Sequence, residues 1–140
     1  VAGVPAWQAG APNEGVIVTS AANVAGERVL LLGNLDHELK PLALSHVGRP
    51  VLEGTTLPAR RTVVLPLGMQ IGGIRVLESP RELLEAGRDR IEFGKGLLGG
   101  AIRLDSDAPL HVQGATAHRD GNLWTLRPHA DGQPVVVRKA

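Results

Sequence analysis

The chain has 140 residues, 43% hydrophobic and 21% charged, with 15 basic and 14 acidic side chains and a formal charge of +1. That is enough for one domain with its own core, and the scattered charges form no basic block that would mark a nucleic-acid or anionic-membrane partner. Cysteine is absent, which excludes disulfides, thiolate metal sites and cysteine catalysis but assigns no compartment.

Residues 1–14 carry two prolines, two glycines and no clear periodicity. They read as an extended lead-in or linker docked through Trp7, which leaves 15–140 as one domain. No signal peptide is legible, and the start at Val1 reads as a processed product or an excised domain. No apolar run approaches the roughly 18 residues that span a bilayer.

From Gly15 the β signals begin. Val16-Ile17-Val18-Thr19 is rich in β-branched residues, 22–26 reads as a connection, and 27–34 holds the next apolar run. Asp36-His37-Glu38 reads as turn material, and Leu39, Leu42 and Leu44 suggest a half-buried face over 39–45. Turns are expected at Gly48-Arg49-Pro50 and at Gly54. Residues 61–65 form a strand that Pro66 should end, because proline lacks the ladder N–H. Residues 70–77 follow, with Gly72-Gly73 read as a bulge or a close backbone approach. Residues 80–86 have the chain's helical features: Ser79 as N-cap, Pro80 as the first helical residue and Glu82 closing a capping box. The segment is too short to be a stable helix alone.

The last third reads as a run of hairpins. Strands at 108–112 and 115–118 surround Gln113-Gly114, while Asp120-Gly121 and Asp131-Gly132 are type I′ turn signals, the second between 123–126 and 134–138. Strands recurring roughly every eight to twelve residues predict an all-β protein. The expected architecture is an antiparallel β-sandwich, jelly-roll-like, of about ten short strands with little or no helix.

Candidate chemistry is sparse. Glycoside hydrolysis needs two carboxylates about 5–10 Å apart, but Asp36, Glu38, Glu53, Glu78, Glu82, Glu85, Asp89, Glu92, Asp105 and Asp107 fall mostly at turns and strand ends. No serine among Ser20, Ser45, Ser79 and Ser106 lies in a nucleophile elbow. Neighbours in Asp36-His37-Glu38 alternate faces on a strand and do not converge. His111 and His118 would approach only across a hairpin centred on Gly114. Gly94-Lys95-Gly96 with Gly99-Gly100 lacks the strand–loop–helix context of a phosphate loop and reads as a turn. No catalytic residue, metal site or cofactor is therefore expected. Sugar binding usually needs aromatic platforms, and the chain has two tryptophans, one phenylalanine and no tyrosine. Trp124, with His118 and Asp120, is the candidate carbohydrate surface, and its competing role is a core or interdomain anchor.

Several landmarks occur together between Glu27 and Leu104. They are Leu57-Pro58, the run Val63-Val64-Leu65-Pro66-Leu67, the segment 74–79 ending in Ser79, and Ile91-Glu92-Phe93-Gly94 followed by Gly99-Gly100. This succession resembles the small β-domains that follow the catalytic barrel in family 35 β-galactosidases and related glycoside hydrolases. The family often carries an aromatic where Phe93 stands. It places Thr-Ala-Glu after the serine and an acidic residue after the glycine turn, where this chain has Pro80-Arg81-Glu82 and Gly100-Ala101. The resemblance implies an extended segment at 80–86, so a strand or irregular turn is expected there. It also implies a non-catalytic accessory domain that braces or caps a catalytic domain of the same polypeptide, whose catalytic glutamates lie in the barrel. The alternatives are a stand-alone β-sandwich that assembles into a homo-oligomer and a carbohydrate-binding module. No nucleic-acid or membrane partner is expected.

Overall fold

The computed structural model describes residues 7–9, 16–22, 28–42, 44–46 and 49–140. They are all-β, with no helix among them. The strand segments, more numerous than the ten expected because several span only two or three residues, are β1 (Trp7–Ala9), β2 (Val16–Ala22), β3 (Arg28–Asn34), β4 (Lys40–Pro41), β5 (Leu44–His46), β6 (Arg49–Val51), β7 (Thr55–Leu57), β8 (Thr62–Ile71), β9 (Ile74–Glu78), β10 (Arg81–Ala86), β11 (Arg90–Gly96), β12 (Leu98–Gly99), β13 (Ile102–Asp105), β14 (Leu110–Gln113), β15 (Ala115–Asp120), β16 (Leu123–Pro128) and β17 (Val135–Lys139). The rest of the lead-in, most of the 22–26 connection and Gly48 lie outside the described residues.

A seven-stranded antiparallel sheet runs in the order β15-β16-β13-β9-β8-β3-β2. A four-stranded sheet, β10-β11-β17-β14, packs against it through Ile74, Val76, Ile91, Phe93, Ile102, Leu104, Trp124, Leu126, Val135 and Val137. A second cluster joins Leu30, Leu32, Val63 and Leu65 to Leu44 and Leu57 of the smaller strands and to Leu52 and Leu97 beside them. Period-2 alternation accounts for much of this: β13 reads buried–exposed–buried–exposed.

Strand β8 joins the two cores. Its first half pairs with β3 and its second half with β9, and Leu67 alone pairs with both, opposite Arg28 and Glu78. Pro66 therefore does not end the strand. The β9 ladder stops at Glu78, so over 62–66 this flank of β8 is paired with no strand by ladder bonds. There Val64 donates its N–H to Glu82 Oε1 at 2.7 Å. Pro66, two residues on, faces the same flank, where its missing N–H costs no ladder bond.

Other expectations change. Gly72-Gly73 is the two-residue hairpin loop after Ile71↔Ile74 and not a bulge, while the close backbone approach holds at Gly72, where a Cβ would lie 2.6 Å from Arg88 O. Arg49 and Pro50 lie in β6 and not in a turn, and Leu39 is exposed. Gly94 and Gly96 sit within β11, where a Cβ at Gly96 would lie 2.3 Å from Pro80 O, so close approach to β10 explains that glycine. Segment 80–86 is extended, as the resemblance implied: Ser79 Oγ accepts the Arg81 N–H at 2.9 Å and donates to the Arg81 carbonyl at 2.7 Å. The serine thus closes a local turn and caps no helix.

In the last third, only β15–β16 is a hairpin. The β14–β15 connection passes from the four-stranded sheet to the seven-stranded one at Gly114, and β16–β17 passes back. At Gly114, with φ +83°, a Cβ would meet Pro134 O at 2.3 Å.

Candidate functional site

The shared row at Leu67 builds the most developed surface feature. Cross-strand register sets Arg28, Leu67, Glu78 and Arg103 side by side on β3, β8, β9 and β13. The β9–β13 ladder slips one residue between Arg103 and Leu104. Such a bulge re-aims side chains, here turning Glu78 toward Arg103 and away from the core face of Val76. Strand β6 flanks the row, and together they form an open groove of about 580 Å³ lined by Arg28, Arg49, Pro50, Val51, Leu67, Gly68, Leu77, Glu78, Arg103 and Leu123.

Glu78 organises the groove wall. Its Oε1 lies 3.3 Å from Arg103 Nε, and its Oε2 accepts the Leu52 N–H at 3.2 Å. Leu52 has φ 56° and is buried, an uncommon conformation for a bulky residue. Thr55 Oγ1 donates to the Leu52 carbonyl at 2.6 Å, so both backbone groups of Leu52 are held. Left-handed conformations of this kind, over-determined by their surroundings, often accompany functional sites. A recess lined by Leu52, Glu53, Gly54, Glu78, Ala101, Arg103 and Arg127 adjoins the groove and shares Glu78 and Arg103 with it.

A second built feature is the loop between β3 and β4. Asn34, 3% exposed, donates through Nδ2 to the carbonyls of Glu38, Leu57 and Pro58, while its Oδ1 accepts the Asp36 N–H at 3.0 Å. Lys40 lies 2.5 Å from Asp36; its hydrogen bond and charge hold the Asp36 carboxyl below its ordinary value of 3.8. The loop presents Leu35 and Leu39, both more than half exposed.

The sequence-selected sugar surface does not form one face. Trp124 is 7% exposed within the main core and donates its indole N–H to the Ser106 carbonyl at 3.2 Å. Arg119 opposite it stacks 5.0 Å from the ring centroid. His118 pairs with Thr125 and Asp120 with Leu123, positions on the other face of the hairpin. His111 pairs with Arg138 in the four-stranded sheet and does not meet His118 across a hairpin. Among the described residues no cluster of His, Cys, Asp or Glu could hold a metal.

The arginines of the groove escaped sequence reasoning because they are far apart in the chain. Register sets positions 28 and 103 in one row, packing of β6 beside that row adds position 49, and no local signal marks them. Matched against protein-family models and against curated proteins, the chain finds no counterpart in either.

Proposed function

We propose that this chain is a non-catalytic β-sandwich accessory domain that works by docking. It would brace or cap a catalytic domain of the same polypeptide, as the resembling domains do in family 35 β-galactosidases and related glycoside hydrolases. One observation carries the reading, an apolar shelf on the seven-stranded sheet. The cross-strand pair Leu31 and Val64 is 37% and 44% exposed, on the face opposite the buried Leu30 and Leu65. Beside it lies a shallow depression whose lining includes Val29, Pro66, Met69 and Leu83. Edge strand β10 reaches this depression through Glu82 and Leu83. A β-sandwich that leaves such a surface bare has a surface suited to another protein face.

The test is the intact mass of the native product. A polypeptide several times larger than 14.7 kDa, releasing this segment on limited proteolysis, supports the accessory role. A native product of about 14.7 kDa ends it and leaves self-assembly as the use of the shelf, readable by light scattering.

A further inference from the structure

Strand β15 is an outer edge of the seven-stranded sheet, and among the described residues no strand pairs with its free flank. Strands β16, β13 and β9 stand between it and the Leu31–Val64 shelf, so a domain docked on the shelf leaves this edge open. We propose that the edge pairs with the same edge of a second copy of the chain, antiparallel and two-fold symmetric about His118. The two seven-stranded sheets would then run on as one.

The ladder fixes which backbone groups are free. His129 donates its N–H to the Gly114 carbonyl at 2.9 Å, so positions 114 and 129 form a hydrogen-bonded pair. Such pairs alternate with non-hydrogen-bonded ones along an antiparallel ladder. Thr116↔Arg127, His118↔Thr125 and Asp120↔Leu123 therefore bond inward, while Ala115, Ala117 and Arg119 turn their N–H and C=O outward. Residues 116–120 are all exposed, whereas Ala115 is buried. The Arg119 side chain stacks over Trp124 and donates to the carbonyls of Gly121 and Asp107, so it is tied back on the core face. The open template is thus the backbone of Ala117 and Arg119.

Unpaired edges invite another strand, and proteins usually blunt them with bulges, prolines, lysines or cover. Strand β15 has six residues in unbroken register and neither proline nor lysine. The other large-sheet edges differ. Strand β10 is broken by register shifts, β14 is short and turns straight into β15 at Gly114, and β1 lies against β2.

Self-complementarity points to a second copy as the occupant. Outward groups must meet outward groups, which allows symmetric registers centred on 117, 118 or 119. Centring on 117 needs the buried Ala115, and centring on 119 sets Arg119 against its own copy, like charge opposite like. Centring on His118 uses only exposed residues. Ala117 then exchanges backbone bonds with the second copy's Arg119, Thr116 stands opposite the second copy's Asp120, and the His118 rings face each other. Contact over 116–120 is smaller than the roughly 1,000 Å² of a stable interface, so the pairing should be weak, with a Kd on the order of 0.1 mM.

Sedimentation and amide NMR of the whole chain, from about 20 μM to about 1 mM, test this. Rising concentration should move the mass toward a dimer, shift the Ala117 and Arg119 amides and slow their hydrogen exchange, with Leu31 and Val64 unmoved. Ala117→Pro removes an N–H that bonds nothing within the sheet and should abolish pairing. Charge reads the register: His118→Asp and His118→Lys should each weaken self-pairing several-fold, and an equimolar mixture of the two should pair more tightly than either alone. A chain that stays monomeric throughout overturns the proposal. So does a dimer that survives Ala117→Pro, shifts confined to the shelf or to β2, or a mixture that pairs no better than its parts. None of these outcomes depends on the mass of the native product, so this proposal and the accessory-domain reading fail separately.

Discussion

The guanidinium of Arg81 donates to the carbonyl of Ala130 at 2.7 Å, across nearly fifty residues of chain, from a side chain that is 2% exposed. It also reaches the carbonyls of Gln133 and Gly94. These bonds fasten the connection between the two large sheets to the start of β10. Burial lowers the pKa of Arg81 and the nearby Asp131 charge raises it, and a guanidinium so far above neutrality stays charged. Arg81→Met should cost about 2–4 kcal/mol, because it removes charge-assisted bonds and leaves buried carbonyls unpaired. Arg81→Lys should fall between, keeping the charge without the fork. Urea unfolding measures both, and a change within about 0.5 kcal/mol for Arg81→Met would show the clamp to be idle.

A side chain of β10, Glu82, bonds the flank of β8 where no backbone ladder forms. Glu82→Ala should leave the Val64 N–H unpaired and speed its hydrogen exchange well beyond that of Val63, whose flank is covered by β3. The stability loss should be about 1 kcal/mol or less at this exposed position. Glu82→Gln keeps an acceptor and should preserve most of the protection. Unchanged exchange at Val64 in Glu82→Ala would mean that another group satisfies it.

The two Asp-Gly pairs show what the sequence could and could not reveal. Both carry the same signal, which predicts a type I′ turn. Asp120↔Leu123 closes a true hairpin, but its loop is Gly121-Asn122 with positive φ at Gly121 and not at Asn122, the type II′ pattern. Asp131-Gly132 lies in the passage between sheets, because β16 and β17 have different partners. Local turn chemistry was legible, whereas strand partners depend on packing between distant segments. Pro66, expected to end its strand, and the unmarked groove arginines have the same cause: a proline is tolerated where its flank carries no ladder, and the arginines meet only through strand pairing and packing. The all-β class was legible because strand spacing does not depend on knowing which strands pair, whereas 80–86 carried helical capping signals and took its extended form only through pairing with β11.

That contrast yields a paired prediction. Gly121→Ala forces a left-handed φ of 62° on a residue with a Cβ and should cost about 1 kcal/mol, although nothing lies within 4 Å of the added methyl. Gly132 has the same free space and no left-handed φ. Gly132→Ala should be neutral or gain roughly 0.4–1 kcal/mol by restricting the unfolded chain. Thermal unfolding of the two variants compares them directly; equal losses would contradict the assigned backbone geometry.

Asp36 and Lys40 supply the pH dependence. The hydrogen bond and then the charge of Lys40 lower the Asp36 pKa; slight desolvation opposes them, and the charges of His37 and Arg60 add a smaller lowering. The folded pKa is therefore below the unfolded one. The stability this pair contributes is fully present above the ordinary value of 3.8 and is lost as pH falls through the lower folded pKa. A carboxyl-carbon NMR titration should place the Asp36 midpoint below 3.8, and Lys40→Met should return it toward that value. High salt should do the same in part, since the Asp36 carboxylate is solvent-exposed. A midpoint in the native chain at or above 3.8 would mean that Lys40 does not engage Asp36 in solution, and the 34–40 loop would then be held by Asn34 and by the Arg60 bonds to Leu35, Asp36 and His37.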